Sequence, residues 1–390
     1  MSRHIYLDNS ATTKICDEAL NKYIEVSREC YGNPSSLHGF GFEAERVLDG
    51  ARREVRASLG AKNATVTFCA SGSEANNLAI LGRAFAKERY KRGSKIITTE
   101  GEHASVNEPL SKLMAEGFKV VKIPTLGGEI DMQALEREMT PDVILVTMMM
   151  VNNETGAYYD IPAVSRIMRQ KSKEALLHVD ATQSYLKIPF SISSLGADMI
   201  TVSSHKIEGP KGVGALVSTE TVKRTRGISP IIFGGGQEEG LRSGTENVPA
   251  IAAFGESVRL GSQNVRENYA YLTSLREKLI SLIEGRAELS DISVTKPKRH
   301  APHILNVTLS GIKSETMLHY LSSLGIYVSS GSACSSNGHA SSPALIAFGR
   351  SEKEADCSIR ISLSHRNTDD DITALVEALV SGLERLARIK

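Results

Sequence analysis

From about residue 65 onward, short apolar runs alternate with longer stretches whose apolar residues recur at helical spacing. This alternation is typical of βαβ units, in which helices connect parallel strands. The runs rich in β-branched residues predict strands at residues 65–68, 95–98, 119–123, 143–149, 176–179, 199–202 and 213–217. The stretches between them predict helices that include residues 74–90, 104–116 and 161–171. The sequence therefore predicts an α/β fold with a mainly parallel central sheet.

The regular alternation of strand and helix patterns ends after residue 255. A long helical stretch at 265–284 precedes shorter strand and helix patterns between residues 303 and 329, and a final helix is predicted near 369–389. A chain of 390 residues is long enough for two hydrophobic cores. We therefore expect a large domain over residues 13–258 and a smaller α+β domain formed by residues 1–12 and 259–390.

Charge and cysteine content narrow the class of protein. The chain has 46 lysine and arginine residues against 45 aspartate and glutamate residues, and this balance argues against nucleic acid as the main partner. The five cysteines include no CxxC pair, and their odd number cannot close into a disulfide framework, which favours a reducing compartment. No apolar stretch approaches the ~20 residues that span a bilayer. We expect a cytoplasmic protein, not bound to a membrane, whose partners are small molecules or other proteins.

Lys206 follows a predicted strand, in the sequence Ser203-Ser204-His205-Lys206. A lysine that forms a Schiff base with an aldehyde cofactor needs a fixed, partly desolvated position, and the end of a strand supplies one. A solvated lysine in a turn is the alternative that this motif alone leaves open.

Other polar residues also follow predicted strands. Asp180 does so, and an aspartate there can pair with a protonated pyridine nitrogen, although a helix N-cap is at least as good an interpretation. Gly72 and Ser73 lie between a strand and a helix whose free N–H groups could hold a phosphate; an ordinary helix cap is the alternative. His103 and Asn153 each favour a structural hydrogen-bonding role when taken alone. Because all these residues meet at one edge of one sheet, we expect a ligand site there.

Cys334 lies within residues 329–343, a stretch of small and polar residues. The other four cysteines lie in or near apolar or helical segments, where burial is the default interpretation. Exposure makes Cys334 the candidate nucleophile. A zinc site with His339 is the competing interpretation, but it lacks two further ligands nearby.

Eight motifs, in order along nearly the whole chain, resemble those of the cysteine desulfurases of the NifS and IscS type, which have the aspartate-aminotransferase fold of pyridoxal-phosphate enzymes (fold type I). They are residues 6–13 (YLDNSATT), 32–36 (GNPSS), 102–103 (EH), 151–154 (VNNE), 178–183 (HVDATQ), 203–206 (SSHK), 242–245 (RSGT) and 329–335 (SSGSACS). Met150 and Glu208 depart from the family pattern close to these motifs.

The resemblance implies a role for each matching residue. Lys206 would carry pyridoxal 5′-phosphate as a Schiff base, Asp180 would pair with its pyridine nitrogen, and His103 would stack on its ring as a catalytic residue. Gln183 would hydrogen-bond the phenolate oxygen of the cofactor. The phosphate would be held by Gly72, Ser73, Ser203, His205 and, from the other subunit of a homodimer, Thr245. The residues near the cofactor that would bind the substrate and its carboxylate are Asn153, Asn33 and Arg360. A surface ion pair is the alternative for Arg360.

The resemblance also implies the reaction. L-cysteine would become L-alanine, and its sulfur would stay on Cys334 as a persulfide before it passes to an acceptor protein, either an iron–sulfur cluster scaffold or a thiolation enzyme. No resident metal is expected, although Cys334 could contact a nascent iron–sulfur cluster. The alternatives are a selenocysteine lyase, another pyridoxal-phosphate enzyme of the same fold, or an inactive docking subunit.

Overall fold

The structure, a computed structural model, describes residues 4–330 and 342–386. The strands in these ranges are β1 Ile5–Tyr6, β2 Thr65–Cys69, β3 Lys95–Thr99, β4 Lys119–Ile123, β5 Val143–Met149, β6 Leu176–Asp180, β7 Met199–Ser203, β8 Gly214–Ser218, β9 Ile292–Val294, β10 Ile304–Leu309, β11 Ile326–Tyr327, β12 Ser329–Ser330 and β13 Ser358–Ser362. The α-helices are α1 Asp17–Glu29, α2 Gly39–Ser58, α3 Gly72–Phe85, α4 Ala104–Ala115, α5 Met132–Glu138, α6 Ile161–Lys171, α7 Ile192–Leu195, α8 Glu220–Thr225, α9 Val248–Gln263, α10 Val265–Glu284, α11 Ser314–Ser323, α12 Pro343–Phe348, α13 Glu352–Asp356 and α14 Asp369–Arg385.

The largest sheet of the described ranges has seven strands, in the order β2-β8-β7-β6-β5-β3-β4. Strands β7, β6, β5, β3 and β4 run parallel to one another, whereas β8 is antiparallel to both of its neighbours. Except in β4, which lies at the edge, every residue of these strands is buried. Burial on both faces explains why the strands read as continuous apolar runs. The predicted α/β fold with a mainly parallel sheet is confirmed.

Two helices begin at the edge of this sheet where β6 and β7 end. Helix α3 starts at Gly72, and the Ser71 hydroxyl caps it by accepting the N–H of Glu74 at 3.1 Å. Helix α4 starts after His103, whose ring accepts the N–H of Ser105. The helix predicted over residues 74–90 ends earlier than expected, at Phe85, because Ala86 adopts an extended conformation.

A four-stranded antiparallel sheet, in the order β12-β13-β10-β9, forms a second layer of the described chain. Apolar residues of α10, α11 and α14 pack against β10 and β13 in one core. Strand β1 pairs with β11, and Asp8 continues this path in a bridge to Ser362 of β13. The N-terminal segment then reaches the large sheet, where Thr13 donates its N–H to the carbonyl of His205 at 2.8 Å. The chain start therefore runs between the two sheets.

Across the two described ranges, no helix combines the length and the apolar character that a membrane span requires.

Candidate active site

A cavity of about 390 Å³ lies at the carboxyl ends of β6 and β7, within the size range of small-molecule sites. The residues expected from the sequence that line it are Gly72, Ser73, His103, Asn153, Asp180, Gln183, Ser203, His205, Lys206 and Arg360. Two expected residues, Asn33 and Thr245, are not among the described residues that line this cavity, and both are exposed. Cys334 lies outside the described residues.

Lys206 closes a single 3₁₀ turn, Ser204–Lys206, directly after β7. Its Nζ donates hydrogen bonds to the main-chain carbonyls of Ser10, at 2.5 Å, and Ala11, at 2.7 Å. The amine is therefore fixed by the N-terminal segment and is partly buried, unlike a solvated lysine in a turn. The neighbouring His205 is neutral near pH 7, because burial and the charge of Lys206 lower its pKa to about 4.

Asp180 is the last residue of β6 and is buried. Its Oδ1 accepts the N–H of Thr182 at 2.9 Å, and its Oδ2 accepts an amide N–H of Asn76 at 2.8 Å. The bond to Thr182 closes a local turn and does not start an α-helix, since the next helix begins at Ile192. The carboxylate is thus held in one orientation at the cavity, as a partner of a ring nitrogen must be.

The start of α3 approaches the end of β7 closely at the wall of the cavity. A Cβ added to Gly72 would lie 3.2 Å from the Cβ of Ser203 and 3.3 Å from the Oγ1 of Thr182. The hydroxyl of Ser203 is buried and has no hydrogen-bond partner among the described residues. An orphaned buried hydroxyl, a glycine at the point of closest approach and the N–H groups of a helix start together fit the phosphate of pyridoxal phosphate.

The amide of Gln183 lies between the N-terminal segment and the cavity. Its Nε2 donates to the carbonyl of Ser10 at 3.0 Å. An amide nitrogen carries two hydrogens, so a second donor remains for a ring oxygen. Its Oε1 is buried and has no partner in the part of the chain that the structure describes.

Arg360 of β13 has only 6% of its surface exposed, so the alternative of a surface ion pair is wrong. Its Nη2 donates to Asp8 Oδ1 at 2.9 Å, and its Nη1 donates to the carbonyl of Asn153 at 3.0 Å. Its Nε is buried without a partner among the described residues. A buried guanidinium that retains an open donor can receive a carboxylate from the cavity.

Several residues that line the cavity were given no role by the sequence. Asp8 pairs with Arg360, and burial raises its pKa against the lowering effect of that arginine. Burial also raises the pKa of Glu154 to about 7, against a hydrogen bond from the Ser342 hydroxyl at 2.5 Å. Asn76 and Ser105 line the same cavity. Asn76 could have been found, because it follows Gly72 by four positions and therefore lies on the same face of α3.

The family model described as aminotransferase class-V matches residues 5–375. Over 98% of this chain and 97% of the relative's own length, the chain is 36% identical to "Cysteine desulfurase IscS 1" of Archaeoglobus fulgidus. It is 39% identical to "Cysteine desulfurase IscS" of Buchnera aphidicola, over 99% of this chain and 94% of that protein. Among solved structures, a "NIFS-like protein" superposes with a TM-score of 0.89 at 35% identity, covering 98% of this chain and all of the other.

Proposed function

The chain belongs to the aminotransferase class-V family and is a cysteine desulfurase that uses pyridoxal 5′-phosphate, and from this premise we propose which of its residues carry out the reaction. The observation that supports the assignment is convergence. A fixed lysine amine, a fixed carboxylate, and a helix start beside an unpartnered buried serine hydroxyl line one cavity at one edge of the sheet.

Lys206 Nζ is the proposed point of attachment of the cofactor and the proposed carrier of the substrate Cα proton. Gly72, Ser73, Ser203 and His205 would hold the phosphate, Asp180 the ring nitrogen and Gln183 the ring oxygen. When bound, pyridoxal phosphate supplies an electron sink that stabilises negative charge at the substrate Cα. Asp180 would support that chemistry, because its carboxylate would keep a proton on the ring nitrogen.

Arg360 would bind the substrate carboxylate, with Asn153 beside it. The buried guanidinium has an Nε–H without a partner among the described residues to offer this anion, and water has little access to compete. Substrate cysteine held in this way would offer its sulfur to the thiolate of Cys334. The Cys334 thiolate would attack that sulfur, and the bond from sulfur to the substrate Cβ would break. Its electron pair would stay with Cβ, which takes up a proton, and Lys206 would return the Cα proton, so that the products are alanine and a Cys334 persulfide.

We propose that the persulfide sulfur then passes to an acceptor protein, a cluster scaffold or a thiolation enzyme. Two relatives that carry the name IscS, at 36% and 39% identity over nearly the full chain, support a sulfur-delivery role. Transfer of radiolabelled sulfur from Cys334 to candidate acceptor proteins would identify the acceptor.

We also propose a homodimer in which Thr245 contributes to the partner's phosphate site. Large apolar side chains are left in solvent on the single chain, among them Leu37, 91% exposed, Phe233, 80% exposed, and Tyr31, 71% exposed. Such side chains are typical of a surface that a second copy covers. Thr245 and Asn33 are themselves exposed and do not line the cavity described above, so they are free to serve another subunit.

The test is a sulfur-release assay on the purified protein with L-cysteine, pyridoxal phosphate and a reductant. We expect sulfide and alanine in equal amounts, a persulfide on Cys334 by mass spectrometry, and no persulfide in Cys334→Ser, which should still bind cysteine. Lys206→Ala should lose the visible absorbance of the loaded enzyme and its borohydride-reducible lysine adduct, whereas Lys211→Ala, an exposed lysine nearby, should keep both. A Lys206→Ala protein that retains the adduct would show that another lysine carries the cofactor.

A further inference from the structure

A chain of hydrogen bonds connects Asp180 to His103 through two residues, Asn76 and Ser105. The Nδ2 of Asn76 lies 2.8 Å from Asp180 Oδ2 and 2.8 Å from the hydroxyl oxygen of Ser105. That hydroxyl oxygen lies 2.9 Å from Nδ1 of His103. Asn76 stands on α3 and Ser105 on α4, so the connection joins two neighbouring helices.

The chemistry of the groups fixes the direction of each bond. An ionised carboxylate can only accept, so the amide of Asn76 turns its nitrogen toward Asp180 and uses its second hydrogen toward Ser105. The Ser105 oxygen thus accepts from Asn76. Its own hydrogen is then available to His103 Nδ1.

The main chain settles the protonation of the ring. The backbone N–H of Ser105 points at His103 Nδ1 at 3.1 Å, and a backbone N–H can only donate. Nδ1 therefore carries no proton, and the proton of the neutral ring resides on Nε2. Burial, the largest influence, lowers the pKa of His103 against the raising effect of Asp180, which also favours the neutral ring.

We propose that Asn76 and Ser105 are positioning residues: Asn76 fixes the Asp180 carboxylate, and Ser105 holds His103 as a neutral ring with its proton on Nε2. His103 then acts as a stacking ring whose Nε2–H is available as a hydrogen-bond donor. A proton on Nδ1 would oppose the N–H of Ser105 and break the cap of α4. The inference rests on the proposed function only for the roles of Asp180 and His103.

The test uses the full-length protein with ¹⁵N-labelled histidine rings, with and without pyridoxal phosphate. The chain has ten histidines, and the signal lost in His103→Gln identifies the one in question. Two-bond nitrogen–proton correlations report which ring nitrogen carries the proton, independently of any turnover. We expect the Nε2–H form in both preparations.

Variants then separate the effect of Asn76 on Asp180 from the effect of Ser105 on His103. Asn76→Ala should speed cofactor release roughly tenfold, because Asp180 loses a hydrogen bond to a charged group, and should also shift the His103 signals. In the Ser105→Ala background the same change should still speed cofactor release yet no longer shift His103. Ser111→Ala, on the exposed side of α4, is the matched control and should leave both readouts unchanged.

Two results would overturn the proposal. One is His103 with a proton on Nδ1 or on both nitrogens, and the other is an Asn76→Ala shift of equal size with and without the Ser105 hydroxyl. Neither result would change the outcome expected in the sulfur-release assay. Failure of that assay, in turn, would not alter the ring measurement, so the two hypotheses fail separately.

Discussion

Lys206, Asp180 and Arg360 were all expected in the site from the sequence, but what holds each of them was not. The amine of Lys206 depends on the carbonyls of Ser10 and Ala11, and Arg360 depends on Asp8. These partners come from the chain start, between 195 and 352 positions away in sequence. Residue type and local pattern can identify a reactive side chain, whereas the contacts that support Lys206 and Arg360 depend on tertiary packing that no local pattern encodes.

Glu154 provides a prediction about pH at the residue scale. Its pKa in the folded protein is raised from 4.5 to about 7, so the folded state keeps a proton that the unfolded chain has already released. Stability should therefore fall as pH rises from about 4.5 to about 7, by at most about 3 kcal/mol from this group. The stability of Glu154→Gln should not show this fall with pH.

Urea unfolding at pH 5 and pH 8 measures the effect. The stability of Glu154→Gln relative to the parent protein should be higher at pH 8 than at pH 5. Glu352→Gln, which changes an exposed carboxylate, should show the same difference from the parent at both pH values. A Glu154→Gln difference that does not change with pH would mean that the folded carboxyl titrates as it does in the unfolded chain.

At the scale of elements, six of the seven strands of the large sheet could be predicted because burial on both faces makes them continuous apolar runs. Helix α3 shows that the apolar pattern does not always predict where a helix ends. Its apolar pattern continues to residue 90, yet the helix ends at Phe85, since the extended Ala86 redirects the chain. The start of the same helix was placed to within two residues, because Ser71 is a strong N-cap residue.

Gly72→Ala tests whether the start of α3 is the phosphate cradle. A methyl group there would come within 3.3 Å of Ser203 and Thr182 and would crowd the proposed phosphate site. We expect a folded protein that retains pyridoxal phosphate at least about tenfold less tightly, which corresponds to roughly 1.4 kcal/mol. Equilibrium dialysis followed by cofactor fluorescence would measure it.

The control is Gly50→Ala in α2, where the new methyl group would meet only the Arg53 side chain, at 3.8 Å. It should bind the cofactor normally. Its free energy of unfolding should be about 0.5–1 kcal/mol higher, as expected for alanine in place of glycine inside a helix. Equal cofactor retention in the two variants would argue that the phosphate lies elsewhere.

At the scale of the whole molecule, the proposed dimer can be tested by mixing two defective chains. If Thr245 serves the partner's site, a Thr245→Ala chain paired with a Lys206→Ala chain assembles one complete site per mixed dimer. Random pairing of equal amounts should then restore about a quarter of the parent activity. If Thr245 acts within its own chain, mixing restores no activity.

The division of the chain into a domain of residues 13–258 and a second domain formed by the remainder stays a prediction that limited proteolysis would test.

The pairing of Asp8 with Arg360 has a consequence for how the protein is made. The two residues are 352 positions apart, and at roughly 5–20 residues per second the ribosome adds Arg360 about 20 to 70 s after Asp8. Throughout that interval the chain start has no access to the guanidinium against which it finally packs. Catalytic competence is therefore acquired only after Arg360 has been added, and a nascent chain that stalls before Arg360 cannot complete the site.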